Sequence, residues 1–288
     1  YSFDVDSFRA AEKLDAHFKA LVSRPANPAR NTVVVCGAGF TGIELAAELP
    51  RRLSHFNDLR VVLVESADVL GPELGPGPRP TITQALKELG VEVKLGTAVV
   101  AIDAGGVTLA SGERIETETA IWTVGMRATP LSEQIPGSKD PLGRLYVEQT
   151  LRVSSTRDVF ATGDAACALA DTKNKRYALM SCQHANQLGR VSGYNAAADL
   201  LGEPLLDYSQ AGYVTCLDMG AWGAVLSTGW ERDVKVTGDV AKRAKCLINQ
   251  KLIYPPPLAK DALSVANPIG ASADSPEPVL ERLLQMVN

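Results

Sequence analysis

Long apolar runs are missing from this 288-residue sequence. No stretch reaches the roughly 18 consecutive apolar residues that a membrane-spanning helix needs, and no basic segment leads into an apolar one at the N-terminus, so neither a spanning helix nor a secretory signal is read. Clustered positive charge is missing too: 29 Lys and Arg stand interspersed with 33 Asp and Glu, for a net charge of −4. That excludes a nucleic-acid patch, and nucleic acid is not an expected partner. The five cysteines (Cys36, Cys167, Cys182, Cys216, Cys246) are odd in number and contain no C-x-x-C pair, which argues against a disulfide framework and a zinc site. No metal is expected, and the cysteines read as small buried apolar residues. Histidine is scarce, with three residues and none after His184. There is no internal repeat and no low-complexity tract. What remains is a globular chain, 45% hydrophobic, long enough for about two domains and expected to be cytoplasmic.

The most informative stretch is TVVVCGAGFTGIELAAEL, Thr32 to Leu49. Val33, Val34 and Val35 form a β-branched run, Gly37, Gly39 and Gly42 fit G-x-G-x-x-G, and Ile43, Leu45, Ala46 and Leu49 recur at helical spacing. The pattern predicts a strand, a tight turn and a helix. Gly37 would permit the turn, Gly39 would let the backbone approach a pyrophosphate, and Gly42 would let helix and strand pack closely. The helix N-terminus then offers unpaired N–H groups to phosphate. A second strand, DLRVVLVES, ends in Glu65, 23 residues after Gly42, where a dinucleotide fold needs an acid for ribose hydroxyls. A carboxylate there repels a 2′-phosphate, and Ser66 and Ala67 follow without an Arg, so NAD(H) is favoured over NADP(H). A glycine turn followed by a coincidental acid is the competing reading.

Downstream, GPELGPGPRP (71–80) holds four prolines and three glycines and reads as a loop. TITQALKELG follows as a helix capped by Gly90, and VEVKL as a strand. AVVAIDAGGVTLASGERI alternates around Gly105 and Gly106 as a hairpin, and TAIWTVG returns as a strand ending at Gly125. Residues 130–144 read as a crossover. DVFATGDAA reads as a buried strand ending at Gly163 and Asp164, and the segment from Ser181 to Gly202 as a long helix. Residues 213–238 suggest a small antiparallel sheet, followed by a helix stopped at Pro255–Pro257.

With these motifs in place the chain resembles the two-dinucleotide flavoprotein reductases of the pyridine nucleotide-disulfide oxidoreductase superfamily, and most of all the type II NADH dehydrogenases. GAGFTGIELAAEL is similar to the family's NAD loop, TVGMRATP (123–130) to its returning strand and VFATGDAA to its second FAD signature. The resemblance covers roughly residues 31–200. It implies an α/β fold in which a Rossmann-like NAD-binding domain is inserted in an FAD-binding domain, with a small α+β C-terminal region. The expected divisions are a connecting helix at 1–30, the NAD domain at 31–128, the second FAD segment at 129–204 and the C-terminal region at 205–288. One G-x-G-x-x-G is present, so the segment that binds the ADP half of FAD is expected to be absent, and this chain is not expected to retain FAD.

The resemblance also implies roles. Gly37, Gly39, Phe40, Thr41, Gly42, Glu65, Val124 and Gly125 would bind NAD(H); Gly163 and Asp164 would meet the flavin ribitol, and Gln183, His184 and Ala185 its pyrimidine edge at a helix start, whose dipole favours negative charge. A turn-capping Asp is the competing reading of Asp164. Glu44 would approach the meeting point of nicotinamide and flavin, although the same residue serves as an acid complementing the helix dipole. His184 would relay a proton to an acceptor, while His17 and His55 are expected on exposed helices. The implied activity passes a hydride from NADH to FAD and electrons to a quinone or other acceptor. An NAD(H)-binding module or redox sensor without flavin chemistry is the alternative. The glutathione reductase type needs a C-terminal His and Glu and is not expected, since no histidine follows His184 in these residues. Pro276 to Asn288 offers Val279, Leu280, Leu283, Leu284 and Val287 with one base, Arg282, which suits a packed helix or a peripheral contact with the inner face of the plasma membrane. The sheet containing Trp222 and Trp230 is a candidate homodimer face.

Overall fold

The computed structural model describes residues 1–268 and 277–287. Pro276 and Asn288 of the expected tail helix lie outside them. Two compact units form, one from Tyr1–Val124 and Thr215–Lys245 with Val287, the other from Gly125–Val214 and the described part of Cys246–Met286.

Residues 1–124 supply β1 (Ser2–Phe3), α1 (Phe8–Leu21), α2 (Pro28–Asn31), β2 (Thr32–Cys36), α3 (Phe40–Arg52), β3 (Arg60–Val64), α4 (Arg79–Glu88) and β4 (Val91–Lys94). They continue with β5 (Val99–Asp103), β6 (Gly106–Leu109), β7 (Arg114–Glu116) and β8 (Thr119–Trp122). A parallel sheet runs in the order β1-β8-β2-β3-β4. β2 lies at its centre, with Val33 opposite both Val61 and Thr119. Strands covered on both faces read as unbroken apolar runs, which is why TVVVC is buried throughout. Alternate residues serve opposite faces. Val33, Val35, Leu63 and Ile121 join Leu14, Phe18 and Leu21 of α1 with Ile43 and Ala46 of α3, while Val34, Cys36, Val62 and Val64 meet Val107, Leu109 and Ile115 of the small sheet.

The chain winds outward from β2 through β3 to β4 and then returns as β8 on the other flank of β2. Such a reversal opens a crevice at the carboxyl ends of the strands, where open α/β sheets bind ligands. The glycine turn after Cys36 and the residues after Trp122 both sit there.

Several expectations need adjustment. Residues 1–30 are not a bare connector, because Phe3 pairs with Ile121 at the sheet edge and α1 buries an apolar face on the core. The hairpin at Gly105–Gly106 gains a third antiparallel strand, β7, after a second turn at Gly112, whose φ is +86°. Helix α4 starts at Arg79, two residues before the expected Thr81, since Pro80 is tolerated in a first turn.

The second unit begins with β9 (Leu145–Tyr146), paired in parallel with β10 (Ala166–Cys167), then β11 (Leu169–Asp171) with β12 (Arg176–Tyr177). α5 (Cys182–Leu201) follows, capped by Ser181 and closed by left-handed Gly202 as expected. DVFATGDAA does not form the expected strand. Phe160 makes one isolated bridge to Arg152, Gly163 turns to φ +58° and residues Gly163–Ala165 form a single 3-10 turn. The positive φ breaks the extended run, so pairing resumes only at Ala166.

Back in the first unit, β13 (Val214–Asp218), β14 (Ala224–Thr228) and β15 (Asp233–Thr237) make the expected small sheet in that order, and α6 (Gly238–Leu247) follows. The chain leaves through a π-helical turn at Ile248–Leu252 and stops before Pro255. In the second unit α7 (Ala259–Val265) and α8 (Glu277–Gln285) remain; α8 buries Leu283 and exposes Val279. No helix among the described residues is long and apolar enough to cross a membrane.

Candidate dinucleotide site

The turn after β2 is built on three glycines, of which Gly37 and Gly42 cannot be exchanged. Gly37 adopts φ +104°, and a Cβ there would stand 2.7 Å from Val124 Cγ2. At Gly42 a Cβ would lie 1.8 Å from the Gly37 carbonyl oxygen, so α3 touches the turn backbone directly. Thr123 Oγ1 fastens the turn to β8 by donating to the Cys36 and Gly37 carbonyls at 2.9 and 3.0 Å. Thr41 is exposed and Phe40 half-buried on the first turn of α3.

Glu65 ends β3 beside this turn and is buried. One carboxylate oxygen accepts from the Ala38 amide at 2.8 Å, and the other from the Ala67 amide at 2.9 Å and the Ser66 hydroxyl at 3.1 Å. The acid therefore clasps the glycine turn at the strand ends. The amide of Phe40 donates to Glu73 Oε1 at 2.9 Å, and a Cβ on Gly39 would stand 2.7 Å from that same oxygen. Nothing in the spacing of GPELGPGPRP marked Glu73 as a partner of the loop.

Glu44 lies one turn into α3. Its Oε1 accepts from the Asp218 amide and from Lys245 Nζ, each at 2.8 Å. Burial pushes its carboxyl above the usual value, outweighing the attraction of Lys245. The Lys245 ammonium also stands 5.1 Å from the centre of the Phe40 ring, and Lys242 pairs with Asp218 at 2.5 Å. Lys245 and Asp218 carried no sequence signal, because they reach Glu44 only through the packing of β13 and α6.

In the second unit the residues assigned to flavin do converge. Gly163 lies against Ala185, 3.8 Å from a Cβ placed on the glycine to the alanine Cβ, so the 3-10 turn abuts the first turn of α5. Asp164 is exposed on that turn, and partial desolvation pushes its carboxyl up against the pull of Arg144. Gln183 Oε1 accepts from the Val214 amide at 3.2 Å. His184 is fully buried, its ring stacked on Tyr213 with centroids 4.9 Å apart and its Nδ1 3.0 Å from Ser181 Oγ. Gly125 is exposed with φ +86°.

Other expectations are corrected. His17 is half-buried rather than exposed, its Nε2 2.8 Å from Thr119 Oγ1, and desolvation lowers its pKa. His55 is exposed, in the turn after α3 rather than on a helix. Cys36, Cys167 and Cys216 are buried, with the Cys36 thiol pushed up to about 12 by burial, whereas Cys182 and Cys246 are exposed. Trp222 donates from Nε1 to Glu88 at 2.7 Å, which ties the indole to its own unit.

A parallel sheet with a glycine turn at its reversal point and an acid on the next strand defines a Rossmann-like dinucleotide unit. The profile of the pyridine nucleotide-disulphide oxidoreductase family matches residues 2–189, and the chain belongs to that family. It is 45% identical over 262 residues to an NADH dehydrogenase-like protein of Mycobacterium tuberculosis, a match spanning 89% of this chain and 65% of the relative. It is 26% identical over 271 residues to the type II NADH:quinone oxidoreductase of Staphylococcus saprophyticus, covering 88% of this chain and 66% of that protein. The chain thus spans just under two thirds of the length of these relatives. Among solved structures, NDH2 from Plasmodium falciparum in complex with NADH superposes with a TM-score of 0.70 at 13% identity, over 92% of this chain and 72% of that one. The water-forming NADH oxidase from Lactobacillus brevis bound to NADH gives 0.61 at 23% identity, over 79% and 47%. Both structural likenesses are of fold.

Proposed function

We propose that this chain is the NADH-binding part of an FAD-dependent NADH dehydrogenase of the type II kind, with a quinone as electron acceptor. The observation that carries the reading is the glycine turn at the sheet's reversal point, clasped by a buried Glu65. The residues fit NAD(H): Gly39 has no side chain to block the diphosphate, the first turn of α3 presents amide donors, and Glu65 disfavours a 2′-phosphate. The Gly163–Ala165 turn abutting α5 fits the flavin end of FAD, with Asp164 as an acceptor for a ribitol hydroxyl. FAD, when bound, supplies the acceptor for the hydride that NADH gives up.

The chain's own residues would then orient and exclude. Val124 and Thr123 wall the turn, and Glu44, held by Lys245 and Asp218, is the carboxylate assigned to the nicotinamide side. Full burial gives His184 the work of holding the first turn of α5, with proton transfer assigned to Glu44. The type II relatives' names support the quinone, and a lipid-soluble acceptor suits a peripheral position at the inner face of the plasma membrane. A homodimer through β13–β15 belongs to the same proposal. An NAD(H)-binding module without flavin is the second reading, favoured by the single G-x-G-x-x-G in these 288 residues.

The test uses the protein as the cell makes it. Its visible absorbance is recorded, and NADH and NADPH are added separately without oxygen, followed by a short-chain quinone. Flavin bleached much faster by NADH and recovered by quinone is the expected result. Tight NADH binding with no flavin would overturn the dehydrogenase and leave the module.

A further inference from the structure

The space that Gly39 keeps clear is already taken by a carboxylate. Glu73 Oε1 accepts the Phe40 amide hydrogen at 2.9 Å and lies 2.7 Å from where a Gly39 Cβ would be. Those are the two features a diphosphate requires of this turn, a free amide at the start of α3 and an unobstructed approach over the second glycine. We propose that Glu73 is a carboxylate gate on the nucleotide's diphosphate position, occupying it in the ligand-free chain and swinging out before a dinucleotide binds. The proposal rests on the NAD(H) reading of the loop.

The construction of the segment suits a side-chain gate rather than a moving loop. Glu73 sits in the 3-10 turn Pro72–Leu74, bracketed by Gly71 at φ +54° and Gly75 at φ +71°. The backbone is anchored on both sides of it: Leu70 before it and Leu74 after it are buried in the main core, and a Cβ on Gly77 would lie 2.5 Å from the Arg232 carbonyl oxygen. Glu73 itself is exposed, so its carboxylate can leave by rotation about its own bonds. Exposed side chains change rotamer in picoseconds to nanoseconds, so the gate acts on affinity rather than on the rate of encounter. When the competent state is a fraction of the population, apparent affinity falls by that fraction. An anion at a helix N-terminus is held by an amount that corresponds to about a two- to fivefold preference for the closed state, and repulsion from the incoming diphosphate adds to it.

The experiment compares the chain with Glu73→Ala and Glu73→Gln, titrating ADP-ribose, NADH and adenosine. Glu73→Ala is expected to tighten ADP-ribose and NADH by roughly three- to tenfold, with Glu73→Gln in between, and to leave adenosine, which has no diphosphate, unchanged. In the ligand-free chain, hydrogen exchange at the Phe40 amide is expected to speed up in Glu73→Ala, a readout that needs no nucleotide. Unchanged or weaker ADP-ribose binding in the variants, an equal gain for adenosine, or unaltered exchange at Phe40 overturns the gate. Tightened ADP-ribose together with no NADH binding by any form supports the gate and overturns the NADH reading instead.

Discussion

Replacing Lys245 with Met removes a cation whose side chain is 10% exposed and whose partner, Glu44, is 25% exposed across 2.8 Å. Deleting one member of a buried pair costs about 3–5 kcal/mol, because the other charge is left without compensation. Two features lower the figure here: Glu44 keeps the Asp218 amide, and part of its side chain still reaches water. Methionine also fills much of the lysine's volume, so the loss at neutral pH is about 2–3 kcal/mol. At about 2–4 °C per kcal/mol for a chain approaching this size, the unfolding midpoint drops by roughly 5–10 °C. The pH dependence gives a sharper check. Burial already raises the Glu44 carboxyl, so its contribution to stability is full below its unfolded-state pKa and is lost as pH rises through the folded-state value. Without Lys245 the folded-state value climbs further. As the pH falls the variant's Glu44 takes up its proton before the wild-type residue does, so the deficit shrinks on the acid side. Urea unfolding of both forms between about pH 5 and pH 8 measures it. A deficit that is constant, or that grows as pH falls, would refute the pairing as the source of the effect.

Three further outcomes follow from the same geometry. Gly42→Ala places a Cβ 1.8 Å from the Gly37 carbonyl oxygen and 2.7 Å from Thr123 Oγ1, and because the Gly37 backbone must move the overpacking costs about 3 kcal/mol; an unchanged thermal midpoint would contradict it. Glu65→Gln removes the charge that disfavours a 2′-phosphate, so the NADPH-to-NADH ratio of dissociation constants is expected to fall by about tenfold, some 1.4 kcal/mol; a constant ratio would place discrimination elsewhere. Ser181→Ala deletes the cap of α5 and the partner of His184 Nδ1, for about 1 kcal/mol in urea unfolding, and no loss would show that the cap is idle.

The legible part of the site was the part written locally. Strand, turn and helix at 32–52 follow from apolar spacing and glycine chemistry, and the acid at Glu65 from its distance along the chain. The stop of α5 was legible for the same reason, since Gly202 acts within one turn of the helix, whereas the Ser181 cap is seen only in the fold. VFATGDAA misled because its apolar run resembles a strand, whereas Gly163 can take a positive φ that ends pairing. The Lys245–Glu44 pair and the Glu73–Phe40 contact left no trace in the spacing. Lys245 lies 201 positions from Glu44, and Glu73 sits in a loop whose composition speaks only of turns.

By itself the sequence determined that a parallel α/β unit exists, with a glycine turn after its first apolar run and an acid closing the next strand. Those properties depend on φ preferences and on residues within one strand-turn-helix unit. Only the tertiary structure decided which charges meet at that turn. It paired β1 with the sheet edge and packed α1 against the core, brought Lys245 to Glu44 and laid Glu73 over Gly39, because long-range contacts are chosen by how layers pack to bury apolar area, and polar side chains then pair with whatever that packing places beside them.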